Sequence, residues 1–321
     1  MKTKCLFCYK KLSVEVLKTS AGKLGYHPSC SKTFFGREEP PVLPFSQDEI
    51  TELAREVIKS QKTVTGVQPK LSLSFSKEAE QPERFTIVGF WGEYILKPQT
   101  KNFAHLPENE SLTMHLAELS GINTVQHGLI YLESGELAYI TKRIDRKKDK
   151  KFPMEDMCQL TERLTEHKYK GSYEQISKAI HRYSANPGLD NVNFYELVLF
   201  SFLTGNNDMH LKNFSLIKLK NDFNLCPAYD LLNAAIVMPE DNEELALNLN
   251  GKKKKINKKD FETAMKNTGL NDKVIENIFT KYQKLIPKWI EFIPSGFLPK
   301  EEQNKYIEII RLRASKLEFK V

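Results

Sequence analysis

The chain has 321 residues, 40% hydrophobic and 28% charged, an ordinary composition for a globular protein with two lobes or a domain with an appendage. It contains no apolar run long enough to cross a bilayer, and Met1–Cys8 lack the pattern of a secretory signal, so we expect a cytoplasmic protein without membrane contact. The net charge of +7 includes basic runs at 146–151 and 252–255, but these lack interleaved aromatic residues and leave direct contact with nucleic acid undecided.

A small Cys/His unit is predicted over residues 1–40. Cys5 and Cys8 form one pair, and His27 and Cys30 form another, each with two intervening residues. The odd count of five cysteines argues against a disulfide framework, and the spacing of the pairs is typical of a structural zinc site. The alternative is a set of four reduced thiol and imidazole groups in a small lid.

A β-rich lobe is predicted over residues 46–143. Ser46 and Glu49 form a capping box, in which each side chain satisfies a free backbone donor, so a helix begins here. From Lys70 onward apolar residues alternate with polar ones, as in a half-buried strand. The remaining pattern predicts strands over 85–90, 93–97, 125–132 and 137–143, and a helix over 109–120.

A mainly helical lobe is predicted over residues 144–321, so the fold class is α+β. Helical periodicity covers most of this region, and one hairpin with the turn Asn221-Asp222 interrupts it. The predicted helices are 154–167, 173–183, 192–203, 258–267, 273–286 and 301–317, and the predicted hairpin strands are 214–219 and 223–227.

Asp208, Asn213 and Asp230 carry the strongest chemical signal. Phosphoryl transfer needs a carboxylate near the attacking hydroxyl and oxygen ligands for magnesium. Asp208 precedes Asn213 by five positions, after a helix and before a strand, which is the spacing of a protein-kinase catalytic loop. Asp230 follows the hairpin, where kinases place a second metal-binding carboxylate. The alternative interpretation is that these residues only form two polar turns on either side of a hairpin. It would explain either turn alone, but not the occurrence of Asp208, Asn213 and Asp230 in this order.

Two further positions match the needs of a nucleotide site. Gly66 lies in the segment 63–70 between a helix and a strand, where its backbone could approach a phosphate; an ordinary turn is the alternative. Lys97 ends a strand and could reach phosphates, or could be an edge residue that extends into solvent. Glu110, early in the next helix, is placed to pair with Lys97.

From Thr63 to its C-terminus the chain resembles the HipA-like serine/threonine kinases, the toxins of bacterial toxin–antitoxin modules. The resemblance implies a bilobal protein-kinase-like fold. It rests on seven segments: Thr65–Lys70, Tyr94–Pro98, Asn109-Glu110 with Met114, Lys142–Arg146, Glu155-Asp156 with Gln159, Asn207–Asn213, and Tyr229–Leu232.

The resemblance implies a role for each matching residue. Asp208 would be the catalytic base or hydroxyl-orienting group, and Asn213 and Asp230 would hold magnesium. Thr63 and Thr65 would be autophosphorylated hydroxyls that shut the enzyme down. The implied ATP site comprises Thr65, Gly66, Val67, Gln68 and Lys70 of a phosphate loop, Lys97, the hinge residues Lys142, Arg143 and Ile144, and His210, Asn213, Tyr229 and Asp230.

The resemblance also implies partners: a protein substrate of the translation-factor class, such as an aminoacyl-tRNA synthetase, and a cognate DNA-binding antitoxin. Two features depart from known patterns. Asn206-Asn207 replace the histidine-arginine pair of ordinary kinases, and only about sixty residues precede the core. The chain therefore looks closer to short members, for which a separate small protein resembles the missing N-terminal subdomain. A non-catalytic kinase-shaped binding module or antitoxin partner is the main alternative, and a lipid kinase is a third.

Overall fold

A computed structural model of the chain describes residues 3–60, 70–75, 84–88, 92–147 and 150–320, without the side chains of 54–60. The chain divides into two compact units. Unit 1 comprises Met1–Ser111 and Val125–Lys150, and unit 2 comprises Leu112–Thr124 and Lys151–Val321.

Unit 1 is built on an antiparallel five-stranded sheet, whose strand order is β2-β1-β3-β5-β4. Leu71 and Leu73 of the first strand are buried, as the alternating pattern predicted, because successive strand residues face opposite sides of a sheet. The strands are β1 (Leu71–Phe75), β2 (Phe85–Val88), β3 (Tyr94–Lys97), β4 (His127–Tyr131) and β5 (Leu137–Lys142).

Three short helices precede the sheet. They are α1 (Val14–Lys18), α2 (Ser20–Lys23) and α3 (Pro28–Phe35). The Leu129 amide in β4 donates to the carbonyl oxygen of Leu6 at 3.0 Å, and the Phe34 ring in α3 meets the Tyr94 ring edge-on at 5.8 Å between centres. Residues 3–36 therefore share the apolar core of unit 1 and are joined to β4 by a backbone hydrogen bond.

Two longer helices follow, α4 (Gln47–Ser60) and α5 (Leu106–Leu119). The predicted capping box is confirmed, because the Ser46 amide donates to Glu49 Oε2 at 2.7 Å and the Glu49 amide donates to Ser46 Oγ at 3.3 Å. After β5 come the two-residue strands β6 (Arg146–Lys147) and β7 (Lys150–Lys151).

Unit 2 combines helices with a small antiparallel sheet of strand order β10-β9-β8. The strands are β8 (Met154–Asp156), β9 (Ser215–Lys218) and β10 (Phe223–Leu225). The helices are α6 (Met157–Leu160), α7 (Tyr173–Tyr183), α8 (Pro187–Leu203), α9 (Ala234–Val237), α10 (Lys258–Asn267), α11 (Asp272–Phe292) and α12 (Lys300–Lys316).

The predicted helix 154–167 is wrong. Its first residues form β8, which pairs with β9, and the Met157 amide donates to the carbonyl oxygen of Phe214 at 3.0 Å. Asp156 then caps the four-residue α6, and Glu162 adopts a left-handed backbone with φ of 56° that ends helical geometry. The apolar periodicity was misleading because Leu164 is 64% exposed.

The helix predicted to stop at Ile286 instead continues through Pro287 to Phe292. Trp289 is fully buried and its indole nitrogen donates to Ser120 Oγ at 3.1 Å, so packing outweighs the backbone hydrogen bond that proline removes. Among the helices that the structure describes, none is both long and apolar enough to cross a membrane.

Candidate active site

Lys97 and Glu110 form a buried ion pair in unit 1. Lys97 ends β3 opposite Tyr139 of β5, with its ammonium 5.4 Å from the Tyr139 ring centre. Lys97 Nζ lies 2.5 Å from Glu110 Oε1, and the two side chains are 5% and 3% exposed. The pairing predicted from the sequence is confirmed. The carboxylate fixes the position of the lysine ammonium and balances its charge in a buried environment.

Residues 142–144, predicted to lie at the adenine, occupy the end of β5 and the following turn. The Lys142 ammonium is 5.9 Å from the centre of the Tyr94 ring. The Arg143 guanidinium donates to both carboxylate oxygens of Asp145, at 3.0 and 2.9 Å. Ile144 is half-buried. The Arg143–Asp145 pair fixes this turn, because a two-pronged contact restrains guanidinium and carboxylate together.

The predicted phosphate loop falls largely outside the described residues. Thr63, Thr65, Gly66, Val67 and Gln68 all lie in the stretch 61–69, and the first described residue after it, Lys70, is exposed and directly precedes β1. The phosphate-loop and autophosphorylation assignments therefore stay predictions.

Asp208 sits in a loop, residues 205–213, that side-chain hydrogen bonds hold in shape. The Asp208 amide donates to Asn206 Oδ1 at 3.3 Å. Asn207 Nδ2 donates to Asp241 Oδ2 at 3.0 Å and to a backbone carbonyl at 3.1 Å. The two asparagines that replace the usual histidine-arginine pair thus act as braces for the aspartate that follows them.

Tyr169 orients the half-buried Asp208 carboxylate. Its hydroxyl donates to Asp208 Oδ1 at 2.6 Å, and its ring meets the His210 ring edge-on with 5.0 Å between centres. Burial and then the neighbouring Asp208 charge raise the pKa of Tyr169 above its ordinary value. The phenol is therefore protonated at neutral pH and can act as a hydrogen-bond donor.

Asn213 and Asp230 come together in unit 2. Asn213 Nδ2 donates to Asp230 Oδ2 at 3.2 Å. Asp230 has a left-handed backbone, with φ of 62°, a conformation that strains most side chains and is tolerated best by aspartate and asparagine. The Asn213 Oδ1 atom is buried and accepts no hydrogen bond from the described residues. An orphaned amide oxygen beside a carboxylate matches the hard oxygen ligands that magnesium prefers, so the pair fits the predicted ion.

Three contacts stiffen the segments around this pair. The Tyr229 hydroxyl donates to the carbonyl oxygen of Lys212 at 3.0 Å and lies 2.6 Å from Ser215 Oγ. Burial raises the pKa of Tyr229 well above its ordinary value. The Lys212 ammonium lies 2.6 Å from Asp156 Oδ2. Strand β8 and the segment before Asp230 are thereby both tied to the loop that carries Asp208.

The cysteines and histidine of the first forty residues also come together, in unit 1. One potential ligand atom from each of Cys5, Cys8, His27 and Cys30 lies within 4.8 Å of the other three. Hydrogen bonds with the Cys30 and Cys8 thiols lower the pKa of Cys5 far below its ordinary value, while the contact with Cys5 raises that of Cys30. The close approach of three sulfurs and one imidazole nitrogen forms a compact set of donor atoms.

Residues 63–290 match the family model described as the HipA-like C-terminal domain. The chain belongs to the HipA-like family.

Among its relatives is a Haemophilus influenzae protein named "Putative kinase", 32% identical over 283 residues that make up 78% of each chain. The serine/threonine-protein kinase toxin HipA of Shewanella oneidensis is 27% identical over 209 residues, 58% of this chain and 46% of that toxin. The match thus covers less than half of that longer relative.

Solved structures establish the fold of this HipA-like chain. HipA of Shewanella oneidensis, in a complex with HipB and operator DNA, matches with a TM-score of 0.68 at 20% identity, over 88% of this chain and 73% of that one. The Helicobacter pylori proinflammatory kinase CtkA matches with a TM-score of 0.51 at 15% identity, over 72% and 90%. The HipA-like chain has a kinase-like α+β fold.

Sequence reasoning missed three residues that support the site of the HipA-like chain. Tyr169 and Asp241 lie 39 and 34 positions from the residues they contact, and no local pattern connects them. The contact between Asp156 and Lys212 spans 56 positions. Of these three residues, only Asp156 lies in one of the seven segments that carry the resemblance. Its contact with Lys212 was not predicted.

Proposed function

We propose that the protein is an ATP-dependent serine/threonine protein kinase. The observation that carries the proposal is the contact between Asn213 and Asp230, which leaves a buried amide oxygen without a hydrogen-bond donor beside a carboxylate. The Tyr169-oriented carboxylate of Asp208 stands in the loop that ends at Asn213. Together these residues supply the carboxylate for the substrate hydroxyl and the oxygen ligands for magnesium that phosphoryl transfer requires.

Each group has a task in the proposed reaction. Asp208 orients the substrate hydroxyl and accepts its proton as the oxygen bonds to the γ-phosphorus and the bond to the ADP oxygen breaks. Lys97, held by Glu110, neutralises phosphate charge. Asn213 and Asp230 would hold magnesium, which supplies charge neutralisation on the phosphates when bound. Lys142–Ile144 contact the adenine, and His210 and Tyr229 complete the ATP site.

The family resemblance supports a proposal for the substrate and the partners. We infer a protein hydroxyl of the translation-factor class as the target, with an aminoacyl-tRNA synthetase as the leading case, and growth arrest as the result. HipA of Shewanella oneidensis has been solved with HipB and operator DNA. By analogy, a DNA-binding antitoxin is the proposed partner here, with a separate small N-subdomain-like protein as the proposed third component.

Autophosphorylation of Thr63 or Thr65 is the proposed off-switch. A phosphate adds nearly two negative charges at neutral pH, and these would repel the phosphates of ATP. This part of the proposal rests on the family resemblance alone, since both threonines lie outside the described residues.

Intact-chain mass spectrometry after incubation with magnesium and ATP tests the activity. We expect added phosphate on the wild type, located at Thr63 or Thr65 by peptide mapping, and none on Asp208→Asn. Asp222→Asn is the matched control, because Asp222 is an exposed carboxylate in the hairpin turn. It should behave as the wild type.

The same assay separates the alternatives. A wild type that transfers no phosphate to itself or to any protein in a lysate, yet binds a partner, would support the non-catalytic module. Transfer to lipid but not to protein would support the lipid kinase. Equal labelling of wild type and Asp208→Asn would refute the assigned role of Asp208.

A further inference from the structure

We propose that Cys5, Cys8, His27 and Cys30 bind one zinc ion in a closed, structural site. The inference is independent of the proposed kinase activity, because all four residues belong to the segment that precedes the first strand of unit 1.

Two separations between donor atoms match the edges of a tetrahedron around zinc. Cys8 Sγ and Cys30 Sγ lie 3.5 and 3.7 Å from His27 Nδ1. With zinc–sulfur and zinc–nitrogen bonds of about 2.3 and 2.0 Å, the sulfur–nitrogen edge of a tetrahedron is ~3.5 Å. The two observed separations therefore fit a zinc ion bound by these groups, and all four donor atoms lie within 4.8 Å of one another.

The second nitrogen of His27 supports Nδ1 as the ligand. His27 Nε2 lies 3.3 Å from the carbonyl oxygen of Lys11, within reach of a hydrogen bond from the ring. A proton held on Nε2 by this carbonyl leaves the lone pair of Nδ1 free to face the three sulfurs. Histidines that bind metals commonly use the other ring nitrogen in this way, which fixes the ring orientation.

Local backbone geometry brings the two pairs into position. The Cys5 amide donates to the carbonyl oxygen of Lys10, and the Tyr9 amide donates to that of Cys5, both at 2.9 Å. Tyr9 has a left-handed φ of 63°, which closes this turn. In the second pair, His27 is the N-cap residue of α3 and Cys30 lies in the first turn of that helix. Helix geometry therefore sets the separation of His27 and Cys30. A tight turn opposite a helix start is a usual framework for zinc.

The donor set selects the metal and its role. Three thiolates and one imidazole suit zinc, and four protein ligands leave no position for a substrate or reactive water. Cys5 is fully buried and the other three residues are half-buried, so the ion would be shielded from solvent. The site is thus structural.

Zinc binding would also stabilise the packing of α3 against the five-stranded sheet of unit 1. Phe34 and Phe35 follow Cys30 in α3, and their rings lie 5.8 and 6.0 Å from the ring of Tyr94 at the start of β3. Lys97 ends the same strand. Because the free energy of zinc binding contributes to folding, the ion would secure α3 against the strand that carries Lys97.

Metal analysis of the full-length chain tests the site. We expect one zinc per chain by inductively coupled plasma mass spectrometry, and one bound ion in native mass spectra. Cys8→Ser and His27→Ala should lower the stoichiometry to near zero. His27→Cys should keep one zinc, because it restores a fourth ligand. Cys158→Ala, which changes a cysteine outside the cluster, should also keep one zinc.

Cobalt substitution tests the site in the wild-type chain, so its result does not depend on whether a variant folds. Wild type stripped of zinc and loaded with one equivalent of cobalt should develop thiolate-to-cobalt charge-transfer bands and the intense visible bands of a tetrahedral site. Failure of the wild type to bind either metal would overturn the proposal. So would zinc retention by Cys8→Ser equal to that of the wild type, or a disulfide within the cluster after purification with reductant.

Discussion

At the scale of single residues, the site depends on partners that are distant in the sequence. Asp208 has its carboxylate fixed by Tyr169, and Lys97 has its charge balanced by Glu110. In each pair one member belongs to the proposed chemistry while the other only holds it in place. Removing the supporting member should therefore weaken function in a way that separates positioning from direct participation.

Tyr169→Phe should lower kcat for phosphoryl transfer by about ten- to a hundredfold, while KM for ATP changes little. The substitution removes one hydrogen bond to a charged group, worth about 1.5–3 kcal/mol, and leaves the ring in place. Because burial raises the pKa of Tyr169, the wild-type phenol remains a donor through mildly alkaline pH. Steady-state kinetics measures the effect, with Tyr183→Phe, at a 39% exposed tyrosine, as the control. Unchanged kcat would show that Asp208 needs no support from Tyr169.

Glu110→Gln should destabilise the protein by about 3–5 kcal/mol, because it leaves the Lys97 ammonium buried without its counter-charge. Chemical unfolding followed by circular dichroism measures this loss. Glu301→Gln is the control, since it breaks an exposed pair with Lys305 and should have little effect. Equal stability of the two variants would contradict the importance of burial.

At the scale of elements, the turn from α8 into the 205–213 loop is set by a glycine. Gly205 has a φ of +72°, and a Cβ at this position would lie 2.8 Å from Ile309 Cγ2 and 2.9 Å from Asn233 Oδ1. Both the backbone conformation and the close neighbours therefore require glycine here. The position of Asp208 three residues later depends on this turn.

Gly205→Ala should destabilise the protein by about 2 kcal/mol or more, because a left-handed backbone costs an L-residue about 1–2 kcal/mol before the steric clash is counted. Activity should fall as the loop shifts. Thermal unfolding and the labelling assay measure the two effects. Gly188→Ala, in α8 with open space around it, should leave stability unchanged or slightly higher. A Gly205→Ala protein as stable and active as Gly188→Ala would refute the proposed constraint.

At the scale of the whole molecule, residues far apart in the sequence close unit 2. Glu244 is buried and forms an ion pair with Arg313, whose Nη1 lies 2.6 Å from Glu244 Oε1, and it also contacts Lys316 in the same helix. The Ile256 amide donates to the second carboxylate oxygen at 2.7 Å. Burial lowers the pKa of Arg313, which shows how strongly its environment disfavours an unpaired charge. Helix α12 is therefore anchored through one carboxylate.

Glu244→Gln should destabilise unit 2 by about 3–5 kcal/mol, because the Arg313 guanidinium would lose its counter-charge in a buried position. Hydrogen exchange should show faster exchange in α12 than in the wild type, and chemical unfolding should give the free-energy change. Glu262→Gln, at a partly exposed pair with Lys258, provides the comparison. Unchanged protection of α12 would mean that apolar packing alone holds this helix.

The sequence by itself determined the α+β class, the bounds of α7 and α10, the capping of α4 and the pairing of Lys97 with Glu110. The helix bounds and the cap depend on periodicity and on neighbours a few positions away, which local residue preferences report directly. Lys97 and Glu110 lie 13 positions apart, at the end of one strand and early in the helix that follows it along the chain. Only the tertiary structure decided that 154–156 is a strand, that Tyr169 reaches Asp208, and that Asn213 meets Asp230. The reason is physical: backbone partners and burial come from residues that are distant along the chain, and no short window of sequence contains them.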